Sequence, residues 1–199
     1  MKAMPSDGEA IAASRSDPQR FALVFDRHFA TLHRFLHRRV GKDLADDLTA
    51  ETFARAFGAR DRYDLSHDDA RPWLLGIAAN LIRRHRRTER RRLLAHARMG
   101  VHLFSDSEFE VAEGRLDAEA AGPRLAEALA TLHPGQREVL LLFAWADLTY
   151  EEIARALGLP IGTVQSRLSR ARSRLREQLP GFGQEPDESG TRQGTRSGK

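Results

Sequence analysis

From Phe21 to Leu179 apolar residues return every third or fourth position, and no stretch alternates β-branched with polar residues as a strand does. That period places the apolar side chains along one stripe of a helix, so the chain reads as all-α. Asp17 caps a first helix and Pro18 presets its first turn; Phe21, Phe25, Phe29, Leu32, Leu36 and Val40 follow at helical spacing, and Gly41 ends it. A second helix starts near Asp43, with Asp46 and Asp47 also near its positive end. It buries Leu44, Leu48, Phe53 and Phe57 and stops at Gly58. Ala59 to Asp69 is polar and predicts an exposed loop. A third helix tolerates Pro72 in its first turn and carries Leu74, Ile77, Ala78 and Leu81 inward. Helical pattern resumes over Leu125 to Leu132 and again from Pro134 to Trp145.

With 199 residues, 41% hydrophobic and 30% charged, the chain suits one domain or two small ones. The block Ser105 to Glu119 separates two helical stretches. It holds Asp106, Glu108, Glu110, Glu113, Asp117 and Glu119 against Arg115, with little apolar surface to offset the entropy of ordering. The expected organisation is a disordered N-terminus (1–16), a helical bundle (17–97), a flexible acidic linker (98–121), a second helical domain (122–179) and a disordered tail (180–199). The absence of cysteine excludes disulfides and thiolate chemistry and fits a reducing cytoplasm. Met1 to Ala13 lacks the basic start and apolar core of a secretion signal. The longest apolar stretches, Trp73 to Ile82 and Val139 to Ala146, fall short of the ~20 residues that cross a bilayer, so no membrane insertion is expected.

The sharpest functional signal lies near the C-terminal end. Thr149 and Glu152 form a capping-box pattern, and Tyr150, Ile153, Ala154 and Leu157 share one face. Gly158, Leu159 and Pro160 then break the chain, and a second helix resumes at about Ile161 with Val164, Leu168, Ala171, Leu175 and Leu179 inward. Two short helices around a tight turn make a helix-turn-helix. Gln165, Ser166, Arg167, Arg170 and Arg174 lie outward near the end that enters a major groove, where arginine takes guanine bidentately and glutamine takes adenine. The plain alternative is a solvated basic face.

The formal net charge is only +4, but the sequence pI of about 10.1 and the bunching of the basic residues point to a polyanion. In RRHRRTERRR, Arg83 to Arg92, seven of ten residues are arginine, and the run extends the third helix beside the 59–69 loop. A cationic surface next to a polar pocket suits single-stranded or melting DNA. His33 and His37 sit one turn apart, but Arg34 occupies the place of the glutamate in an HExxH zinc motif. With no third ligand, phosphate loop or nucleophile elbow evident, neither a metal, a cofactor nor an enzyme is expected.

Three strings resemble the extracytoplasmic-function sigma factors. DLTAETFARAF, Asp47 to Phe57, resembles their core-polymerase-binding segment in region 2. RPWLLGIAANLIRRHRR, Arg71 to Arg87, is similar to their minus-ten recognition and melting segment, and LTYEEIARALGLPIGTVQSRLSRARSRLRE, Leu148 to Glu177, to their region 4. The resemblance implies a region 2 helical bundle and a region 4 helix-turn-helix joined by the acidic linker. It implies core RNA polymerase, through its beta-prime clamp and beta flap, and promoter DNA as partners, and leaves open whether an anti-sigma protein clamps the two domains. Asp47, Leu48, Glu51 and Phe53 map to the clamp-binding helix, and Phe53 equally fits plain core. Arg62, Asp64, Ser66 and His67 map to the loop that holds a flipped minus-ten base, beside Asn80, Arg83, Arg84 and Arg87 on the melting helix. Gln165, Ser166, Arg167 and Arg170 map to the minus-35 readers. Ala50 stands where the family often has Gln, and Gln165 where a basic residue is common. A stand-alone helix-turn-helix regulator is the main rival, and a non-specific RNA-binding protein a lesser one. The first leaves the arginine-rich helix and the acidic linker without a purpose.

Overall fold

The computed structural model describes residues 4–98 and 122–179, and within them it is helical with no strand. The elements are α1 (Asp7–Ser14), a 3-10 turn (Pro18–Phe21), α2 (Ala22–Val40), α3 (Lys42–Gly58), a second 3-10 turn (Arg60–Arg62) and α4 (Arg71–Arg98). After the acidic block come α5 (Pro123–Ala130), α6 (Pro134–Ala146), α7 (Tyr150–Leu157) and α8 (Ile161–Gln178).

The local chemistry explains most boundaries. Asp17 accepts the Gln19 N–H and Pro18 opens the first 3-10 turn, which runs into α2. Gly41, at φ 79°, takes the left-handed conformation that lets α2 turn straight into α3. In α2 the spacing separates two faces. Val24, Leu32, Phe35 and Leu36 are buried, whereas Phe25 and Phe29 stay 38% and 41% exposed and meet in a tilted contact at 5.1 Å between ring centroids. The expectation that Phe25 and Phe29 lie on the inner stripe is therefore corrected. They form an aromatic edge continued by Phe53, 4.7 Å from Phe25.

The N-terminus departs from the expected disorder. Ser6 and Glu9 form a reciprocal capping box, Ser6 N–H to Glu9 Oε2 at 2.8 Å and Glu9 N–H to Ser6 Oγ at 3.2 Å. The helix it starts, α1, buries Ala10, Ile11 and Ser14 against α2 and the first turn. The signal, Ser-x-x-Glu followed by apolar residues, is present in the sequence but short, and a helix of this length holds only because packing completes it. The predicted linker also begins within a helix, since α4 continues through Arg98; its remainder and the predicted tail lie outside the described residues.

One apolar core runs through both helical bodies, from Ile11, Phe35, Leu36 and Leu75 to Leu141, Leu148, Ile153 and Leu168. Each fully buried Leu or Phe contributes roughly 1.5–3 kcal/mol relative to exposure. The bodies meet chiefly where α4 packs on α7, with a smaller contact between α2 and α6.

Candidate nucleic-acid interface

The helix-turn-helix forms as its residues dictate. Thr149 Oγ1 accepts the Glu152 N–H at 3.2 Å while Glu152 Oε2 accepts the Thr149 N–H at 2.8 Å, closing the capping box of α7. Gly158 ends α7 in the left-handed region at φ 63°, where a Cβ would cost free energy. Pro160 then leads into α8, whose Val164, Leu168, Ala171 and Leu175 are buried. Gln165, Ser166, Arg170 and Arg174 are exposed on the opposite side. Arg174 Nη1 pairs with Glu177 at 3.2 Å, and Ser166 Oγ donates back to Thr163 O at 3.1 Å. Arg167 does not project with them. It is half-buried, with its guanidinium over Gly135, Nη1 lying 3.0 Å from where a Cβ would sit. Small Gly135 makes that seat at the start of α6.

The 59–69 segment is more ordered than an exposed loop. Tyr63 is 6% exposed, its ring lies 4.8 Å from that of Trp73, and its hydroxyl donates to His67 O at 2.9 Å. Burial pushes the Tyr63 hydroxyl up to about 12, so the group remains a donor throughout the neutral range. Asp64 Oδ1 accepts the Ser66 N–H at 3.0 Å, an Asx-type turn, and hydrogen bonds from Ser66 hold the Asp64 carboxyl below its ordinary range. These residues wall a pocket of about 370 Å³ lined by Arg62, Tyr63, Asp64, His67, Asp69, Pro72 and Trp73, together with Arg155 and Ala156 of α7. Of the loop residues expected at the site, Arg62, Asp64 and His67 line the pocket, and Ser66 acts through the Asp64 turn.

The pocket floor is braced from α1. Asp7, 4% exposed, accepts from Arg27 Nη1 at 2.8 Å, the Ala70 N–H at 2.9 Å and the His28 ring at 2.5 Å, and its own N–H donates to Asp68 O at 3.0 Å. Burial alone would raise the Asp7 pKa, but the bonds from His28, Ala70 and Arg27 outweigh it and hold the carboxyl at about 2. Asp69 also approaches Asp7 and His28. Because both Asp7 oxygens already accept hydrogen bonds, the group is a structural joint.

Along α4, Asn80, Arg83, Arg84 and Arg87 are exposed, and Arg83 donates to Asn80 Oδ1. On α3 the four residues expected to meet polymerase divide. Asp47 and Glu51 are exposed, with Glu51 paired to Arg55 at 2.7 Å, but Leu48 and Phe53 are 4% and 5% exposed and belong to the core. For Phe53 this is the plain-core alternative, and both positions turn inward because α3 packs between α2 and α4.

Tyr63, Trp73 and Arg155 carry parts of the pocket without having been singled out as site residues. Tyr63 is the one aromatic ring of the phenyl or indole type in Ala59 to Asp69, a signal that was available. Arg155 arrives only because α7 docks on α4, and no local pattern announces it.

The family model for sigma-70 region 2 matches residues 24–92, and that for sigma-70 region 4 matches residues 123–175. The chain is 33% identical over 181 residues to the ECF RNA polymerase sigma factor SigC of Mycobacterium tuberculosis, covering 88% of this chain and 94% of SigC. This is an extracytoplasmic-function sigma factor. The sigma factor is also 34% identical over 154 residues to the RNA polymerase sigma factor HrpL of Pseudomonas syringae pv. syringae, covering 76% of this chain and 82% of HrpL. Among solved structures it resembles the sigma factor RpoE of Bartonella quintana, crystallised with the anti-sigma factor NepR, at a TM-score of 0.62 and 27% identity over 82% of this chain and 99% of RpoE. As an alternative sigma factor it acts in transcription initiation. Its region 2 spans α2 to α4, and its region 4 comprises α5 to α8.

Proposed function

We propose that this sigma factor binds core RNA polymerase, reads a minus-35 element through α8 and a minus-ten element through the 59–69 pocket and α4, and promotes strand separation. The observation that carries the reading is the presence on one chain of two different surfaces, each of a chemistry that suits DNA. An exposed helix face bearing Gln165, Ser166, Arg170 and Arg174 suits duplex readout in a major groove. A walled pocket of about 370 Å³ beside Asn80, Arg83, Arg84 and Arg87 suits an extruded base and its phosphates.

Base extrusion costs a few kcal/mol, and a preformed pocket offsets it. Tyr63, locked to Trp73 and His67, supplies a rigid apolar wall, while Arg62, Asp64 and His67 offer the polar groups that distinguish a base edge. The exposed face of α3, with Asp47 and Glu51, is the surface we assign to the polymerase clamp. The beta flap is the partner we assign to region 4.

The protein acts as a binding subunit without catalysis of its own and works in the cytoplasm. An anti-sigma partner is supported by the RpoE–NepR complex. No described helix is long and apolar enough to cross a membrane.

The deciding experiment is transcription in vitro with core polymerase, the purified chain and a genomic template, followed by sequencing of the transcripts. Start sites that share two upstream elements support the reading. Failure to associate with core polymerase, tight palindromic binding by the free protein, or a signal indifferent to promoter shuffling would overturn it.

A further inference from the structure

A cavity of about 430 Å³ lies where the two helical bodies meet, and seven of its lining side chains are arginine against one that is acidic, Glu138. Four of the arginines come from α4, between Arg83 and Arg90; the others, Arg39, Arg137 and Arg167, come from α2, α6 and α8. No single helix carries the set, so packing alone concentrates the charge. Gly76 fixes the approach of the walls: a Cβ there would lie 2.3 Å from Ala156 O, and α4 touches α7 because residue 76 has no side chain.

Three features fit the cleft to an anion. Arg39 has a side chain only 1% exposed. Its Nη2 donates to Glu138 Oε2 at 2.7 Å, but Nε and Nη1 are buried and find no hydrogen-bond partner among the described residues. A buried guanidinium recovers its desolvation cost only when its remaining donors are also bonded. Arg167 is half-buried, and its Nη1 lies 3.0 Å from where a Gly135 Cβ would sit, in the first turn of α6. A helix N-terminus is the positive end of the backbone dipole, so a cation is repelled there unless negative charge shares the site. Glu138, the one carboxylate of the lining, is already committed to Arg39 and leaves the other guanidinium groups facing one another.

The shape and the lining narrow the class of anion. Guanidinium groups take phosphate oxygens bidentately, and donors arriving from four helices surround a compact polyphosphate. The volume falls within the ~300–1,000 Å³ of small-molecule sites. Pro134, Leu157 and Leu159 give the cleft an apolar side, which suits the flat face of a base better than a bare inorganic ion.

We propose that this cleft binds a small ligand of the nucleoside diphosphate class, its phosphates held by Arg39, Arg90 and Arg167 and its base lying against Leu157 and Leu159. The site stands apart from the promoter-binding reading: a chain that read no promoter would still hold the ligand.

Calorimetric titration of the full chain at physiological salt, with ADP, GDP, inorganic pyrophosphate and adenosine as probes, tests this. ADP or GDP should saturate at one per chain and raise Tm with concentration. Pyrophosphate should compete more weakly, and adenosine should not bind measurably. Arg90→Gln, at an exposed position, and Arg167→Gln should each weaken nucleotide binding by about tenfold, the loss of one charge-assisted contact. Glu138→Gln should tighten it, because the charge opposing the phosphates is gone. Arg176→Gln, on an exposed arginine of α8 outside the cleft, should leave it unchanged. Circular dichroism establishes that each variant is folded. Failure of both nucleotides to saturate overturns the site, and equal weakening by Arg90→Gln and Arg176→Gln overturns it by reducing the attraction to net charge. Pyrophosphate binding as tightly as the nucleotides overturns the ligand class.

Discussion

Asp7 Oδ2 accepts the backbone N–H of Ala70 at 2.9 Å, joining the first helix to the residue that precedes α4. The bond spans 63 positions. With the Asp7 N–H donating to Asp68 O, it clamps the far end of the 59–69 loop, so a helix outside both matched regions braces the pocket within region 2.

Replacing Asp7 with alanine leaves Arg27, His28 and the Ala70 N–H without their shared acceptor, and should lower stability by about 3 kcal/mol. Because the folded pKa is about 2, below the ordinary 3.8, the carboxylate stabilises the fold fully above pH 4 and loses that contribution as pH falls from 3.8 towards 2. The shift corresponds to about 2 kcal/mol. Urea titrations of parent and Asp7→Ala at pH 7 and pH 2.5 should therefore show a gap that narrows in acid. A constant gap rules out the ionic part of the argument.

Tyr63→Phe removes the 2.9 Å bond to His67 O and leaves the ring against Trp73. A stability loss of about 1 kcal/mol is expected. Binding of single-stranded minus-ten DNA should weaken, while a minus-35 duplex is bound as before. Equal weakening on both probes would place Tyr63 outside the pocket's work.

Arg170→Ala should cost on the order of 1–3 kcal/mol of minus-35 discrimination if the guanidinium takes a base bidentately. Arg167→Ala should cost less on the free protein, because that side chain lies over Gly135 rather than outward. Promoter competition with mutated minus-35 elements measures both. An unaltered promoter ranking in Arg170→Ala would falsify its assignment.

On α3, Leu48→Asp places a carboxylate at a position only 4% exposed and should unfold region 2, with loss of helical signal. Asp47→Arg changes an exposed residue and should leave the fold intact while weakening association with core polymerase. Pull-down of polymerase alongside circular dichroism distinguishes the two. Full polymerase binding by folded Asp47→Arg would move the docking surface elsewhere.

The elements that depend on near neighbours were legible in the residues. Thr149 and Glu152 make their capping box three positions apart, Gly158 ends α7, and Val164, Leu168, Ala171 and Leu175 turn inward at helical spacing. Ser6 and Glu9 carry the same cap signal for α1, but its helix is only eight residues long and draws its stability from α2 and the loop. Leu48 and Phe53 were readable as apolar positions, yet the choice between core and docking surface waited on the neighbours of α3.

By itself the sequence determined that the chain is helical, where the helix-turn-helix lies and where positive charge gathers, because capping, turn chemistry and the 3.6-residue period act within a few residues. Only the tertiary structure decided that Arg39 meets Glu138 from 99 positions away, that Gly76 seats Ala156 and that Arg155 reaches the pocket beside Tyr63 and Trp73. Those relationships depend on how packed helices approach one another, and a local spacing rule carries no information about which distant surface will arrive.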